Sequence, residues 1–342
     1  MTDLIEGTLE KARAAIATHD LVAPDAAVLL MVSGGSDSTA LAYLGAALRE
    51  AGDVGPVAML HVNHQLRGED ADADERFVRG LCEGLDVPCE VRRVDVGTLV
   101  RSRRGGMEAV AREERYRLAS LSLERACLQA GTEDGLICTA HTIDDRVETS
   151  FMRALVGTGP GGLASIPRVR GRLRRPLLDA TREQLRDWLR RRHPGTPDSA
   201  LWREDETNLT GDNFRSQVRR ELVPVLRELR PGFERSLAQT MDLIADEDET
   251  LRCQADSIAY RTLTWDGEVA SVPIEALSSL DRSMARRVLR AYLLVVNPDA
   301  RLEAGQIDRV LDGLEDEDFT TETSGGLRVS TSGDALVIRK AQ

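Results

Sequence analysis

The chain has 342 residues, enough for roughly two domains of ordinary size, and its 42% hydrophobic and 30% charged content is that of a water-soluble globular protein. No apolar run approaches the ~18–20 residues of a membrane helix, and residues 1–20 mix acids and bases without an apolar signal core. Membrane and secreted classes are therefore set aside and a cytoplasmic protein with no membrane partner is expected. The formal net charge of -12 argues against a uniformly basic nucleic-acid binder, yet residues 153–193 hold eleven Arg against three acids, so the polarity is regional.

In chain order, residues 1–20 read as an opening helix. The runs AAVLLMV (26–32), PVAMLHVNH (56–64), CEVRRVDV (89–96) and GLICTAH (135–141) read as strands. Between them, residues 38–52, 72–86 and 107–131 carry apolar residues at helical spacing and end near Gly or Asp. The expected fold class is α/β, a doubly wound, mainly parallel sheet with helices on both faces. Ligands in such folds bind beyond the carboxyl ends of the strands. Three stretches follow strand ends: SGGSDS (33–38), HVNHQLR (61–67) and AHTIDD (140–145). A Gly- and Pro-rich break at 156–167 ends the alternation, followed by helical patterns at 181–193 and 214–229. Beyond 231 the pattern reads as a smaller, mainly helical C-terminal domain ending in a hairpin at 325–340. The expected division is 1–195, a linking segment 196–230, and 231–342.

Ser33, Gly34, Gly35, Ser36, Asp37 and Ser38 stand between a buried strand and a helix. Glycines let the backbone approach an anion, and a helix start offers free N–H groups. With no lysine nearby it is not a Walker A loop, and Asp37 beside a phosphate makes sense if Mg²⁺ lies between them. A strand-to-helix turn capped by Ser36 or Asp37 is the alternative. Asp144 and Glu148, four apart, share a helix face, with Asp145 alongside. With Asp37 they can hold Mg²⁺, or they can merely offset a helix dipole behind an N-cap at Thr142. Arg112 is either a fixed cation for a phosphate or part of a solvated face. His61 and His64 lack a metal-ligand pattern and suit nucleotide or RNA contacts, as do Arg67 and His141. The basic segment and FRSQVRR (214–220) are candidate RNA contacts or a solvated basic face. The cysteines Cys82, Cys89, Cys127, Cys138 and Cys253 form no C-x-x-C pair and read as reduced thiols.

These motifs together resemble the ATP-pyrophosphatase (PP-loop) superfamily, which splits ATP to AMP and pyrophosphate, and within it the tRNA(Ile)-lysidine synthetases. Beside SGGSDS, the likeness is carried by residues 61–78, 111–120, 140–163, 175–178 and 205–226. The resemblance implies an adenine nucleotide α-hydrolase-like domain and ligation of free lysine to the wobble cytidine of a CAU-anticodon tRNA(Ile) through an adenylated intermediate. It implies ATP as substrate with Mg²⁺, and it leaves room for a homodimer. By resemblance, Asp37, Arg112, Asp145 and Glu148 are catalytic, and residues 33–38 with His61 and His141 bind the nucleotide. His64, Arg67, Arg215 and Arg219 face tRNA, and Asp37 and Asp144 hold the metal. Thr142, Arg146, Thr210 and Ser216 depart from the family's usual His, Gln, Asp and Asn. A tRNA thiolase of the same superfamily and a non-catalytic nucleotide-dependent RNA-binding protein are the alternatives.

Overall fold

The computed structural model describes residues 3–19, 21–102, 106–204 and 213–341. They form two compact units, Met1–Asp242 and Leu243–Gln342. The segment 196–230 thus belongs to the first unit, and the division falls inside a long helix, Phe233–Thr262. Asp205, Asn208 and Thr210, part of the family-like block, lie outside the described residues.

The first unit opens with α1 (Asp3–Thr18), β1 (Ala27–Met31), α2 (Ser36–Ala51), β2 (Val57–Asn63), α3 (Glu69–Gly84) and β3 (Cys89–Arg93). It continues with α4 (Val96–Ser102), α5 (Met107–Ala130), β4 (Gly135–Cys138), α6 (Ile143–Val156), α7 (Pro160–Leu163), β5 (Val169–Arg170), β6 (Leu173–Arg174) and α8 (Arg182–Arg192). The strand order is β3-β2-β1-β4-β6-β5, parallel from β3 through β6, with β5 antiparallel at the edge. The four strands expected from the sequence are present within a few residues of their expected ends.

Strand β1 explains the arrangement. Its AVLLM run is buried on both faces, as a central parallel strand requires. Val28 and Leu30 join a core with Leu41 and Leu44 of α2 and Trp188 and Leu189 of α8. Ala27 and Leu29 join a second core with Ala119, Leu123 and Cys127 of α5. Neighbouring strands leave β1 in opposite chain directions, β2 following it and β4 much later. This switch point opens a crevice at the carboxyl ends of β1 and β4.

Downstream, the single helix expected over 214–229 is broken into a short helix Phe214–Gln217, a π turn Val218–Leu222 and a helix Val223–Leu229. Pro224 has no N–H to donate to the carbonyl four residues back, and the ladder widens just before it.

The second unit departs in part from the expectation of a mainly helical domain, because a sheet accompanies its helices. It contains a five-stranded antiparallel sheet, β7 (Thr264–Asp266), β8 (Val269–Pro273), β9 (Thr320–Thr323), β10 (Leu327–Ser332) and β11 (Ala335–Lys340), in the order β7-β8-β11-β10-β9. The expected terminal hairpin is β10–β11, with Val329 opposite Ile338. Helices Arg282–Val296 and Ala304–Asp312 pack on it through Leu289, Tyr292, Leu293 and Val310. Three strands went unexpected: β8, whose Ala270 and Val272 alternate into the core, and two with little to bury, TWD of β7, exposed throughout, and TTET of β9, which buries only Thr323. β7 and β9 carry no apolar alternation for a sequence pattern to register.

Gly45 of α2 faces β1, where an added Cβ would collide with the Leu30 side chain. Leu30 is buried among α2 and α8 and has nowhere to go. Gly45→Val is expected to cost about 2 kcal/mol of unfolding free energy by overpacking. Urea denaturation checks this, and a change under 0.5 kcal/mol would contradict the packing described.

Candidate active site

Ser33–Ser38 turn the chain from β1 into α2. Gly34 has φ +97°, a left-handed conformation that favours glycine, and Gly35 precedes the first helical residue. The Ser38 hydroxyl accepts the N–H groups of Ser33 and Gly34, both at 3.1 Å, and donates to the Gly35 carbonyl at 3.0 Å. Thr39 Oγ1 donates to the Gly34 carbonyl at 3.2 Å. Ser38 and Thr39 therefore brace the loop from inside. Ser33 stays exposed, and the Ser36 hydroxyl donates to Asp37 Oδ1 at 3.1 Å.

The loop forms one wall of a cleft of about 1080 Å³, ample for a nucleotide. The carboxyl end of β2 contributes His61, Asn63 and His64. The end of β4 contributes Thr139 and His141, α6 contributes Asp145, and α5 contributes Arg112, Arg115 and Tyr116. Among the described residues its lining holds eight arginines (67, 112, 115, 182, 186, 203, 219 and 220) against four acids (Asp37, Asp74, Asp145 and Glu204). That excess suits a polyanionic ligand.

Arg182, at the start of α8, gathers the predicted acids. Its Nε donates to Asp37 Oδ2 at 3.0 Å, and its guanidinium lies 3.6 Å from Asp145 Oδ1 and 3.9 Å from Glu148 Oε1. Burial raises the Asp37 carboxyl above its ordinary range, with Arg182 opposing and Asp145 adding to the rise. Burial also pushes Asp145 up, but Arg182, His141, Arg215 and the Thr142 N–H together outweigh it and hold this acid below its ordinary range. The Arg182 guanidinium is raised despite its burial, because Asp37, Asp145, Glu148 and Asp144 surround it, so it stays charged. Asp145 Oδ2 also accepts the Thr142 N–H at 2.9 Å, so one carboxylate caps the start of α6 and faces the cleft at once.

The other two acids have different surroundings. Asp144 accepts the Arg182 backbone N–H at 2.8 Å and Arg227 NH2 at 2.8 Å, anchoring the start of α8. It does not line the cleft; the acid that joins Asp37 there is Asp145. Glu148, 2% exposed, accepts Arg219 at 2.6 and 2.9 Å and Arg215 at 3.1 Å. Arg215 and Arg219, two of the three arginines expected to face tRNA, are thus paired to a buried carboxylate, and of these two only Arg219 lines the cleft.

His61 Nδ1 is 2.9 Å from the Val32 carbonyl, and its Nε2 is buried with no hydrogen-bond partner among the described residues. His64 Nε2 contacts Arg115 at 3.3 Å, and His141 Nδ1 pairs with Thr139 Oγ1 at 2.9 Å. Arg67 pairs with Asp74 at 2.7 Å. Arg112 lies over the Tyr116 ring, 5.2 Å from its centroid, and lines the cleft with no ion pair to a described acid. The unusual Arg146 is buried, its NH2 on Asp242 at 2.7 Å. Sequence reasoning missed Arg182, Arg186, Arg203 and Asp74. A signal existed for two of them: Arg182 and Arg186 are four apart on α8, flanking its buried Leu185 and Leu189 face rather than lying on the solvent side.

Asp37 and Asp145 offer hard oxygen donors of the kind Mg²⁺ takes in ones and twos together with phosphate oxygens and water. Among the described residues no group of three His, Cys, Asp or Glu is placed to hold a metal alone. The residues fit an ion that arrives with a phosphorylated ligand.

Comparison with known proteins gives a consistent result. The PP-loop domain family matches residues 8–226. A tRNA(Ile)-lysidine synthase of Thermus thermophilus is 38% identical over 285 residues, covering 82% of this chain and 52% of that protein. That of Deinococcus radiodurans is 40% identical over 236 residues, 69% of this chain and 37% of that protein. That of Alkalilimnicola ehrlichii is 34% identical over 316 residues, 90% of this chain and 66% of that protein. The chain thus spans about half the length of the first of these relatives. Among solved structures, the U34-tRNA thiolase NcsA from Methanococcus maripaludis superposes with TM-score 0.52 at 16% identity, covering 72% of this chain and 81% of that one. At that identity the likeness is one of fold.

Burial lowers the pKa values of His141 and His64 to about 4, with Arg175 and Arg112 adding to the effect at His141 and Arg115 at His64. Both are neutral in the folded state at pH 7, and the unfolded chain binds more protons between pH 6.5 and 4. Stability is therefore expected to fall as pH drops through that window, by at most about 1.4 kcal/mol per pH unit for each histidine. His141→Gln should flatten the difference between urea denaturation at pH 6.5 and at pH 4.5. An unchanged slope would contradict the burial assigned to this ring.

Proposed function

The chain belongs to the PP-loop family, and from that premise we propose that it carries out the reaction of a tRNA(Ile)-lysidine synthase on a CAU-anticodon isoleucine tRNA, with ATP and free lysine as the other substrates. The observation that carries the reading is the meeting of Asp37 from the loop with Asp145 from α6 across a cleft rich in arginine, Arg182 lying between them. Identities of 34–40% to proteins of that name support the substrate assignment.

In the first step the carbonyl oxygen of the wobble cytidine bonds to the α-phosphorus of ATP. The bond to the bridging oxygen breaks, and its electron pair leaves with pyrophosphate. The loop backbone and the N-terminal end of α2 hold the departing phosphates. Arg112, without a carboxylate partner among the described residues, is a cation available to the α-phosphate. Mg²⁺ bound by Asp37 and Asp145 would supply further charge neutralisation on the leaving group. In the second step the neutral ε-amine of lysine bonds to the activated carbon, AMP leaves with the electron pair, and the amine gives up its proton. Asp145, held ionised, faces the same cleft and is an acceptor for it. Glu148 acts at one remove, holding Arg219 at the cleft wall.

The test is to incubate the protein with ATP, lysine and a CAU isoleucine tRNA transcript and to weigh the wobble nucleoside by mass spectrometry. Lysine incorporation with equimolar AMP and pyrophosphate is expected. Sulfur incorporation would favour a thiolase, and no modified nucleoside with any tRNA would sink the reading. Asp37→Ala is expected to lower the rate of modification at least ~100-fold while leaving the thermal melt within a few degrees, as for loss of one preorganised charge. Near-normal modification by that variant would remove the loop from the chemistry.

A further inference from the structure

The arginines of residues 153–193 look like an RNA-facing patch in the sequence, but α8 turns two of them toward the loop. Arg182 is committed to carboxylates. Arg186, one turn on, is not: its Nε lies 3.3 Å from the Ser36 hydroxyl, on the loop itself. Its NH2 donates to Glu204 Oε1 at 2.9 Å, and its guanidinium lies 5.5 Å from the ring centroid of Trp202. Trp202 is 1% exposed, and its Nε1 donates to the same Glu204 oxygen at 2.8 Å. The arginine is thus aimed from three directions. Its one acid partner among the described residues is 54% exposed, so that ion pair is weak and leaves most of the cation's charge available. Arg203, the third arginine at the loop, spends its Nε on buried Asp74 while its backbone N–H donates to the Gly34 carbonyl at 2.9 Å.

We infer that Arg186 is a ligand of the β- and γ-phosphates of ATP and of the pyrophosphate that leaves, recruited from α8 to complete the loop. The inference rests on the PP-loop reading of the site but not on the identity of the RNA substrate. A planar guanidinium presents a fork matched to phosphate oxygens, and the loop's hydroxyls and N–H groups carry no formal charge of their own. As the phosphorus–oxygen bond breaks, negative charge grows on the pyrophosphate, so the contact strengthens along the reaction and contributes to turnover as well as to binding. Arg190 provides a control on the same helix. It lies over the same indole at 5.6 Å, but it pairs with Asp198, Glu183 and Asp187 and does not line the cleft.

Binding of inorganic pyrophosphate with Mg²⁺ to the whole chain, followed by isothermal titration calorimetry, tests the assignment. Arg186→Ala is expected to weaken pyrophosphate about tenfold or more, the scale of one charge-assisted hydrogen bond, while AMP affinity moves less than about twofold. Arg186→Lys should recover only part of the loss, and Arg190→Ala should leave pyrophosphate affinity unchanged even where it lowers the melting temperature. The inference is overturned if Arg186→Ala binds pyrophosphate within twofold of the parent, or if Arg190→Ala weakens it equally. Absence of pyrophosphate binding by the parent protein would overturn the inference together with the loop assignment. Loss on Arg186→Ala in a protein that fails the lysine-incorporation assay would uphold Arg186 and reject only the lysidine reading.

Discussion

One guanidinium holds the site in shape. Arg182 sits among Asp37, Asp145 and Glu148, and its own backbone N–H is taken by Asp144, so four carboxylates from two distant segments converge on one residue. Asp37 and Arg182 are 145 positions apart in the chain. Partly buried acids repel one another strongly in a low-dielectric cleft, and they pack together only with a cation of fixed geometry between them. The same contact sets the start of α8, and from that start follow the positions of Arg186 and of Trp188 and Leu189 in the core behind the loop. Fold and site share this anchor.

A second constraint lies one helical turn further along α6. Glu148 is buried and accepts three guanidinium contacts from Arg215 and Arg219. Removing a cation from a buried acid costs about 3–5 kcal/mol, more than a single exposed phosphate contact returns. Arg219 is therefore better described as a fixed part of the cleft wall than as a mobile arm for RNA. The π turn Val218–Leu222 is what sets the register of Arg219 and Arg220, both of which line the cleft, against this acid. Widened turns of this kind are common where a helix must aim side chains at a site.

The parts of the structure legible in the sequence are those governed by one dominant local rule. A strand buried on both faces must be continuously apolar, and AVLLM could be little else. Thr142 followed three residues later by Asp145 reads as a helix start and is one. What could not be read is direction. Spacing puts Asp144 and Glu148 on a common face of α6, yet one meets the start of α8 and the other meets Arg215 and Arg219, and the acid in the cleft is Asp145. Helical period fixes which residues are neighbours but not which tertiary partner each will meet. The polar strand β9 and the exposed β7 escaped for a related reason: their pairing is dictated by β10 and β8, not by any pattern of their own.

Charge shows the same separation of local from global. The chain carries -12 overall, which taken alone argues against anionic substrates. The acidic runs 246–249 and 315–318 belong to the second unit, whereas the cleft of the first is lined by eight arginines and four acids among the described residues. With a Debye length near 8 Å at physiological salt, a polyanion in the cleft responds chiefly to the charges that line it rather than to the chain's net charge. Within that local field the acids have a distinct purpose. Asp37 and Asp145 are drawn in by Arg182, and Asp74 by Arg67 and Arg203, so each negative group is also a device for orienting a cation. A wholly basic cleft would bind polyanions in many poses. One that interleaves paired acids between its arginines leaves few places where phosphate can settle, and the loop is one of them.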